Sequence, residues 1–178
     1  MNDSTNKTKR LVMAALLLAL CWLLPFLTGQ LQTLGQMLLP MHFPVLVGGF
    51  ILGPFWGLAI GFLGPLTRSL IFGMPVMYPM AVGMAFELAA YGFFCGILHK
   101  AFRRTKYLRS YGALIISMLL GRIVWAVARL VMLGIVQTPF TWKMFITMEF
   151  VNAWPGILLQ LLIVPPVVNA LRKANVVD

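Results

Sequence analysis

Apolar residues run along this chain in long blocks, separated by short polar or basic breaks. The first block is "LVMAALLLALCWLLPFLT", residues 11–28, and others fill 79–99, 111–136 and 145–171. Each is close to or above the roughly 20 residues that a helix needs to cross a bilayer. Lipid is the solvent that tolerates such runs, so the pattern predicts membrane-spanning helices.

The stretch 43–72 is harder to divide, because "GPFWG" lies in its middle. Basic residues at the span ends decide the matter, since loops on the cytoplasmic side are rich in Lys and Arg. Lys7, Lys9 and Arg10 place the N-terminus inside, "HKAFRRTKYLR" (99–109) places that loop inside, and Arg172 with Lys173 places the C-terminus inside. An even number of crossings must then separate residues 10 and 100. One helix over 43–72 gives an odd number, and a break at Pro54 gives an even one. Pro and Gly break helices, which makes the division locally reasonable. The prediction is an all-α integral membrane protein of six spans with both termini cytoplasmic. The spans fall near 11–28, 42–53, 55–72, 79–99, 111–136 and 145–171, within a single domain over residues 1–178. The outer loops are then 29–41, 73–78 and 137–144, with Lys143 as their one basic residue. The second span covers only about 18 Å of a core about 30 Å thick, so protein must shield it or it must line a cavity.

Composition agrees with this picture. Hydrophobic residues make up 61% of the 178 positions and charged ones 10%, against about a quarter charged in soluble domains. The net charge of +10 clusters at span ends, so it reads as topology and not as a nucleic-acid surface. No small-residue cleavage site follows the first block, which reads as a retained span and not a signal peptide. Cys21 and Cys95 sit inside apolar runs and read as packing residues.

Ionisable residues within spans are costly and point to function. Arg68, Glu87, Arg122, Arg129 and Glu149 are of this kind, and His42 stands at the mouth of the second span. Arg68 lies about 6 Å and Glu87 about 13 Å below the outer ends of their spans. Asn152 and Glu149 fall in the outer half of the last span, so the polar set leans outward, where a cavity open to the outside would lie. Arg122 and Arg129 are seven residues apart and share a helix face. Buried Arg–Glu pairs would explain part of the set, yet three arginines face two glutamates. An anionic ligand group would balance the surplus, as would lipid phosphate or water. Tyr78, Tyr91, Trp125, Trp142, Trp154 and Gln160 join this polar and aromatic level, Trp142 beside Lys143 reading as an interfacial anchor, and "NAWPG" (152–156) puts a helix break beside Asn152. Ala15 and Ala19 form a small-xxx-small face on the first span, a weak signal for helix docking.

Several chemistries lack their residues. There is no phosphate loop of the G-x-x-x-x-G-K-[ST] form and no H-E-x-x-H. Both aspartates, Asp3 and Asp178, lie in the tails, and neither His has a carboxylate at metal-ligand spacing. The chain is expected to be neither an ATPase nor a metal enzyme, and to bind no cofactor of its own. Three classes stay open: a substrate-binding transport subunit, a stand-alone secondary transporter or channel for a small anionic solute, and an intramembrane enzyme built on His42 and Ser69.

The stretch "FPVLVGGFILGPFWGLAIGFLGPLTRSLIFGMPVMYPMAVGMAFELAAYGFFCGIL" (43–98) resembles the S components of energy-coupling factor (ECF) transporters, the small substrate-binding membrane subunits of bacterial vitamin importers. The spaced glycines through "GPFWGLAIG" carry the likeness, and spans five and six are similar only in character. The resemblance implies a multi-pass protein of the bacterial plasma membrane that binds a water-soluble vitamin from outside. It implies partners as well: a transmembrane coupling subunit and two cytoplasmic ATPases that hydrolyse the ATP. Ala15 and Ala19 occupy the place of the family's docking face for the coupling subunit, and loops 29–41 and 73–78 that of its ligand caps. The expected site comprises His42, Arg68, Tyr78, Glu87, Tyr91, Arg122, Arg129, Glu149, Asn152 and Trp154. The surplus arginine favours an acid such as pantothenate. Pyridoxine and hydroxymethylpyrimidine come next, since Glu87, Asn152 and His42 suit ring nitrogens and hydroxyls. Folate and cobalamin stay open.

Overall fold

The computed structural model describes residues 3–29, 31–102, 108–136, 143 and 146–174. Among the described residues there is no strand, and helices follow one another with short connections. Helix α1 spans Asp3–Leu23 and tightens into a 3-10 turn over Leu24–Thr28, with Pro25 in its first turn. Then come α2 (Gln32–Leu38), α3 (His42–Leu52), α4 (Pro54–Phe72), α5 (Val82–Ala101), α6 (Ala113–Val136) and α7 (Trp154–Lys173). Among the described residues, six helical segments are long and apolar enough to cross a membrane.

The break expected at Pro54 is present. Gly53 adopts φ 98° and ψ 178°, and Pro54 opens α4 where its missing N–H costs nothing. Residues 29–41 differ from an irregular loop, because Gln32–Leu38 is helical. Leu39 then takes a left-handed conformation (φ 51°), and α3 starts at His42. Together α2 and α3 give a bent segment, Thr33–Leu52, of 20 residues. Its helical parts, 33–38 and 42–52, add up to about 26 Å at 1.5 Å per residue, with the bend at 39–41 between them. Much of the shortness of 42–53 is thus made up by α2.

Helices α3, α4 and α5 pack closely because their facing positions are glycine. A Cβ on Gly57 would lie 2.5 Å from the carbonyl oxygen of Gly92 and 2.7 Å from Cα of Gly49. A Cβ on Gly92 would in turn strike the backbone of Gly57. Small residues let backbones approach where lipid supplies no hydrophobic drive between helices. The core around this contact holds Val45, Leu46, Leu88, Cys95 and Leu114, with Val164 and Val168 of α7. On α1, Ala14, Leu17 and Cys21 face this core. Ala15 is exposed and Ala19 half-buried on the side away from it.

The bundle has two distinct ends. At one, Phe50 near the close of α3 accepts a hydrogen bond from Arg172 of α7 (3.4 Å) and meets the ring of His99 edge-on at 5.2 Å. The other end carries α2, the Leu24–Thr28 turn and the α4–α5 connection, and a cavity opens there.

The glycine contact predicts contrasting outcomes on one helix. Gly57→Ala has no room and should cost about 1–3 kcal/mol, the usual penalty of overpacking. Gly64→Ala would place its Cβ 3.5 Å from the Cys21 side chain, an ordinary contact, and should be tolerated. Thermal unfolding in detergent measures both.

Candidate ligand cavity

The cavity is partly open and has a volume of about 160 Å3. Its walls come from the α1 turn (Pro25, Thr28), from α2 and the bend after it (Gly35, Gln36, Leu39, Met41), and from the α4–α5 connection (Met74, Pro75, Val76). The lining is largely apolar, with four methionines, Met41, Met74, Met80 and Met84, and with Trp125 of α6. Three ionisable side chains face it: His42, Arg68 and Glu87.

Met80, in the helical turn Met77–Ala81 that leads into α5, and Met84 and Glu87 of α5 face the cavity at the i, i+4, i+7 spacing of one helix face. One turn deeper lies Tyr91, fully buried, whose hydroxyl donates to Oε1 of Glu87 at 2.7 Å. Tyr91 fits there because α6 has Gly121 against its ring, where any Cβ would collide. The bend between α2 and α3 delivers His42 to the opposite wall. Its Nε2 lies 3.9 Å from Oε1 of Glu87, and its ring is tilted over that of Tyr91 at 5.4 Å. His42 and Glu87 are 2% and 4% exposed, so this polar group sits in a poorly solvated site where its electrostatics are strong.

Arg68 is equally buried, and its donors are directed at the rim. Nη1 donates to the carbonyl of Met74 and Nε to that of Trp22 (3.4 Å). Its guanidinium carbon stands 5.8 Å from the ring centres of both Phe26 and Phe72, at cation–π range. Trp22 adds a hydrogen bond from Nε1 to Thr67 Oγ1 at 2.9 Å.

The remaining expected site residues lie elsewhere. Arg122 and Arg129 are buried on α6, over the rings of Phe150 (5.1 Å) and Trp125 (5.2 Å), and neither lines the cavity. Arg129 therefore bears on the cavity through Trp125. Tyr78 is 44% exposed and donates to the carbonyl of Met132 at 2.9 Å. Asn152 and Trp154 are exposed, while their neighbour Ala153 reaches the wall. Trp142 and the side chain of Glu149 lie outside the described residues. Gln160 is fully buried with no hydrogen-bond partner for its amide among the described residues. Among the described residues, no three His, Cys, Asp or Glu side chains gather as a metal site.

Some lining residues went unnoticed in the sequence: Thr28, Gln36, Met80 and Met84, with Gly121 behind Tyr91. The α5 stripe was readable, since Met80, Met84, Glu87 and Tyr91 repeat at helical spacing. Thr28, Gln36 and Gly121 carry no such signal, because their placement depends on long-range packing.

The fold is that of a multi-pass membrane protein with a partly open, largely apolar cavity at one end of its bundle. Residues 9–168 match the profile of the family described as "ECF transporter, substrate-specific component", and the chain belongs to that family. It is thus a substrate-binding subunit of an ECF importer. The family is one of transport components and not of enzymes, and its members work with a coupling subunit and ATPases. No curated protein and no solved structure matches the chain.

The Tyr91–Glu87 hydrogen bond is expected to matter for stability. Tyr91→Phe removes a hydrogen-bond donor from a buried carboxylate and should cost about 1–3 kcal/mol, read as a lower unfolding midpoint in detergent.

Proposed function

We propose that the chain is the high-affinity binding subunit for a water-soluble vitamin or precursor that is a single substituted nitrogen heterocycle, of the pyridoxine or hydroxymethylpyrimidine kind. The observation that carries this is the Glu87–His42 pair set in a methionine and tryptophan lining. Glu87 accepts hydrogen bonds from a ring N–H or a hydroxyl, and His42 can donate or accept at the same edge of a ring. Thioethers and the indole of Trp125 pack on ring faces. A volume of about 160 Å3 is close to that of cavities known to take up one benzene ring, roughly 150 Å3.

Pantothenate is the second reading. Arg68 on the wall supports it, as the one cation-bearing arginine of the lining. Against it, the donors of Arg68 that point to Met74 and Trp22 are already engaged with carbonyls.

In this proposal the cavity end faces outward from the bacterial plasma membrane, with both termini cytoplasmic. A separate coupling subunit and two ATPases supply the energy by hydrolysing ATP, and this chain binds no cofactor. Ala15 and Ala19, on the side of α1 turned from the core, form the face for the coupling subunit. A stand-alone secondary transporter or channel is the alternative, and uptake into liposomes without the ATPases would establish it instead.

Mass spectrometry of ligand that copurifies with the protein tests the substrate directly. A nitrogen heterocycle is expected, and Glu87→Gln should weaken its binding at least about tenfold, the worth of one hydrogen bond to a charged group. A copurified carboxylic acid whose binding survives Glu87→Gln would instead establish pantothenate-type recognition. For the docking face, Ala15→Trp should leave vitamin binding intact and abolish uptake by cells that carry the ATPase module. Uptake at the normal rate would place that face elsewhere.

A further inference from the structure

We infer that Gln160 is a hydrogen-bonding point for a neutral hydroxyl oxygen, set behind the cavity wall where α7 meets the start of α3, and that this oxygen comes from the bound small molecule or from a fixed water. Gln160 is 0% exposed, and neither its side-chain oxygen nor its nitrogen has a hydrogen-bond partner among the described residues. An amide buried without partners is costly, and the large majority of buried side-chain polar atoms have one. The amide carries two N–H donors and an acceptor oxygen. It has no charge to neutralise, so the group that suits it both donates and accepts, as a hydroxyl or a water does.

The position of Gln160 follows from the packing of α7. Ala153, Gly156, Gln160 and Val164 recur at spacings of three and four, along one helix face. Ala153 reaches the cavity wall, and Gly156 admits the backbone of Met37 and Leu38 at the end of α2. Further along, Val164 and Val168 enter the core with Val45 and Leu46 of α3, and Arg172 reaches the carbonyl of Phe50. Helix α7 thus follows α2 and then α3 in the same direction. Gln160, one turn past Gly156, stands at the level of Met41 and His42, where α3 begins. Those two residues line the cavity and Gln160 does not, so the amide lies behind the wall. The start of α3 is buried as well, and it has no side-chain cap. First-turn N–H groups of a helix need an acceptor from outside the helix, and an oxygen held by Gln160 at this level can supply it. Met41, unbranched and on that wall, can re-pack to admit a ligand hydroxyl. Only the ligand source rests on the function proposed above.

Gln160→Met keeps the length of the side chain and removes its hydrogen bonds. The unfolding midpoint of the ligand-free variant in detergent is compared with that of the parent, and pyridoxine and hydroxymethylpyrimidine are titrated into both. With a ligand hydroxyl as the source, the midpoint holds or rises, because an unpaired amide has left the interior, and affinity for the probe that binds falls at least about fivefold. With a water as the source, the midpoint falls by at least about 2 °C, and a high-resolution crystal structure of the parent shows an oxygen within hydrogen-bonding range of Gln160. A midpoint that holds or rises with affinity unchanged overturns the inference. So does a lowered midpoint where the crystal structure shows the Gln160 amide bonded to protein groups alone. If neither probe binds the parent, the function proposed above is what falls, and an unlowered midpoint in Gln160→Met then overturns the inference as well.

Discussion

The direct backbone contact among α3, α4 and α5 is the constraint on which the rest of this molecule depends. Gly49, Gly57 and Gly92 leave no side chain between the three helices, and in lipid such close approach replaces the hydrophobic drive that water would supply. Because these axes are fixed, the ends of α4 and α5 are fixed too. Arg68 and Glu87 then stand on opposite sides of one short connection, both turned to the same cavity. Helix α6 is drawn onto α5 at a second glycine, Gly121, which seats the Tyr91 ring. The polar site therefore inherits its geometry from positions that have no side chain at all.

Charge in this bundle is placed where something meets it. Glu87 has the Tyr91 hydroxyl and His42 beside it, and Arg68 has two carbonyls and two phenyl rings. Arg122 and Arg129 each stack on a ring. An ionised group moved from water to lipid without partners would be expensive. Backbone carbonyls and aromatic faces answer the charge of Arg68, and rings lie against Arg122 and Arg129, so a count of arginines against glutamates is not by itself a measure of the positive charge that faces a ligand.

Much of the architecture was legible in the sequence, and the reasons are physical. Span number follows from apolar block length together with the side on which basic loops fall, and this alone demanded a break at Pro54, where Gly53 turns the chain. The helix at Gln32–Leu38 was not legible, because its glycine, threonine and two glutamines look like a loop. What makes it helical is its seat on α7, where Gly156 admits the backbone of Met37 and Leu38. In the site, Arg68, Glu87 and His42 stood out because charge at membrane depth is rare. Depth alone does not say which way a helix faces. Asn152 and Trp154 lie at the right level on the exposed side, while Ala153 between them reaches the wall.

The methionine lining has a consequence for selectivity. Unbranched thioether side chains re-pack around different outlines and so discriminate weakly by shape. A buried acceptor left without its donor, by contrast, penalises a wrong ligand heavily. On the function proposed above, a pocket of soft walls and one rigid polar pair would read its ligand by the inventory of donors and acceptors along one edge. Two molecules of different contour with the same hydrogen-bonding edge would look alike to it, while near-identical rings differing in a single proton would not.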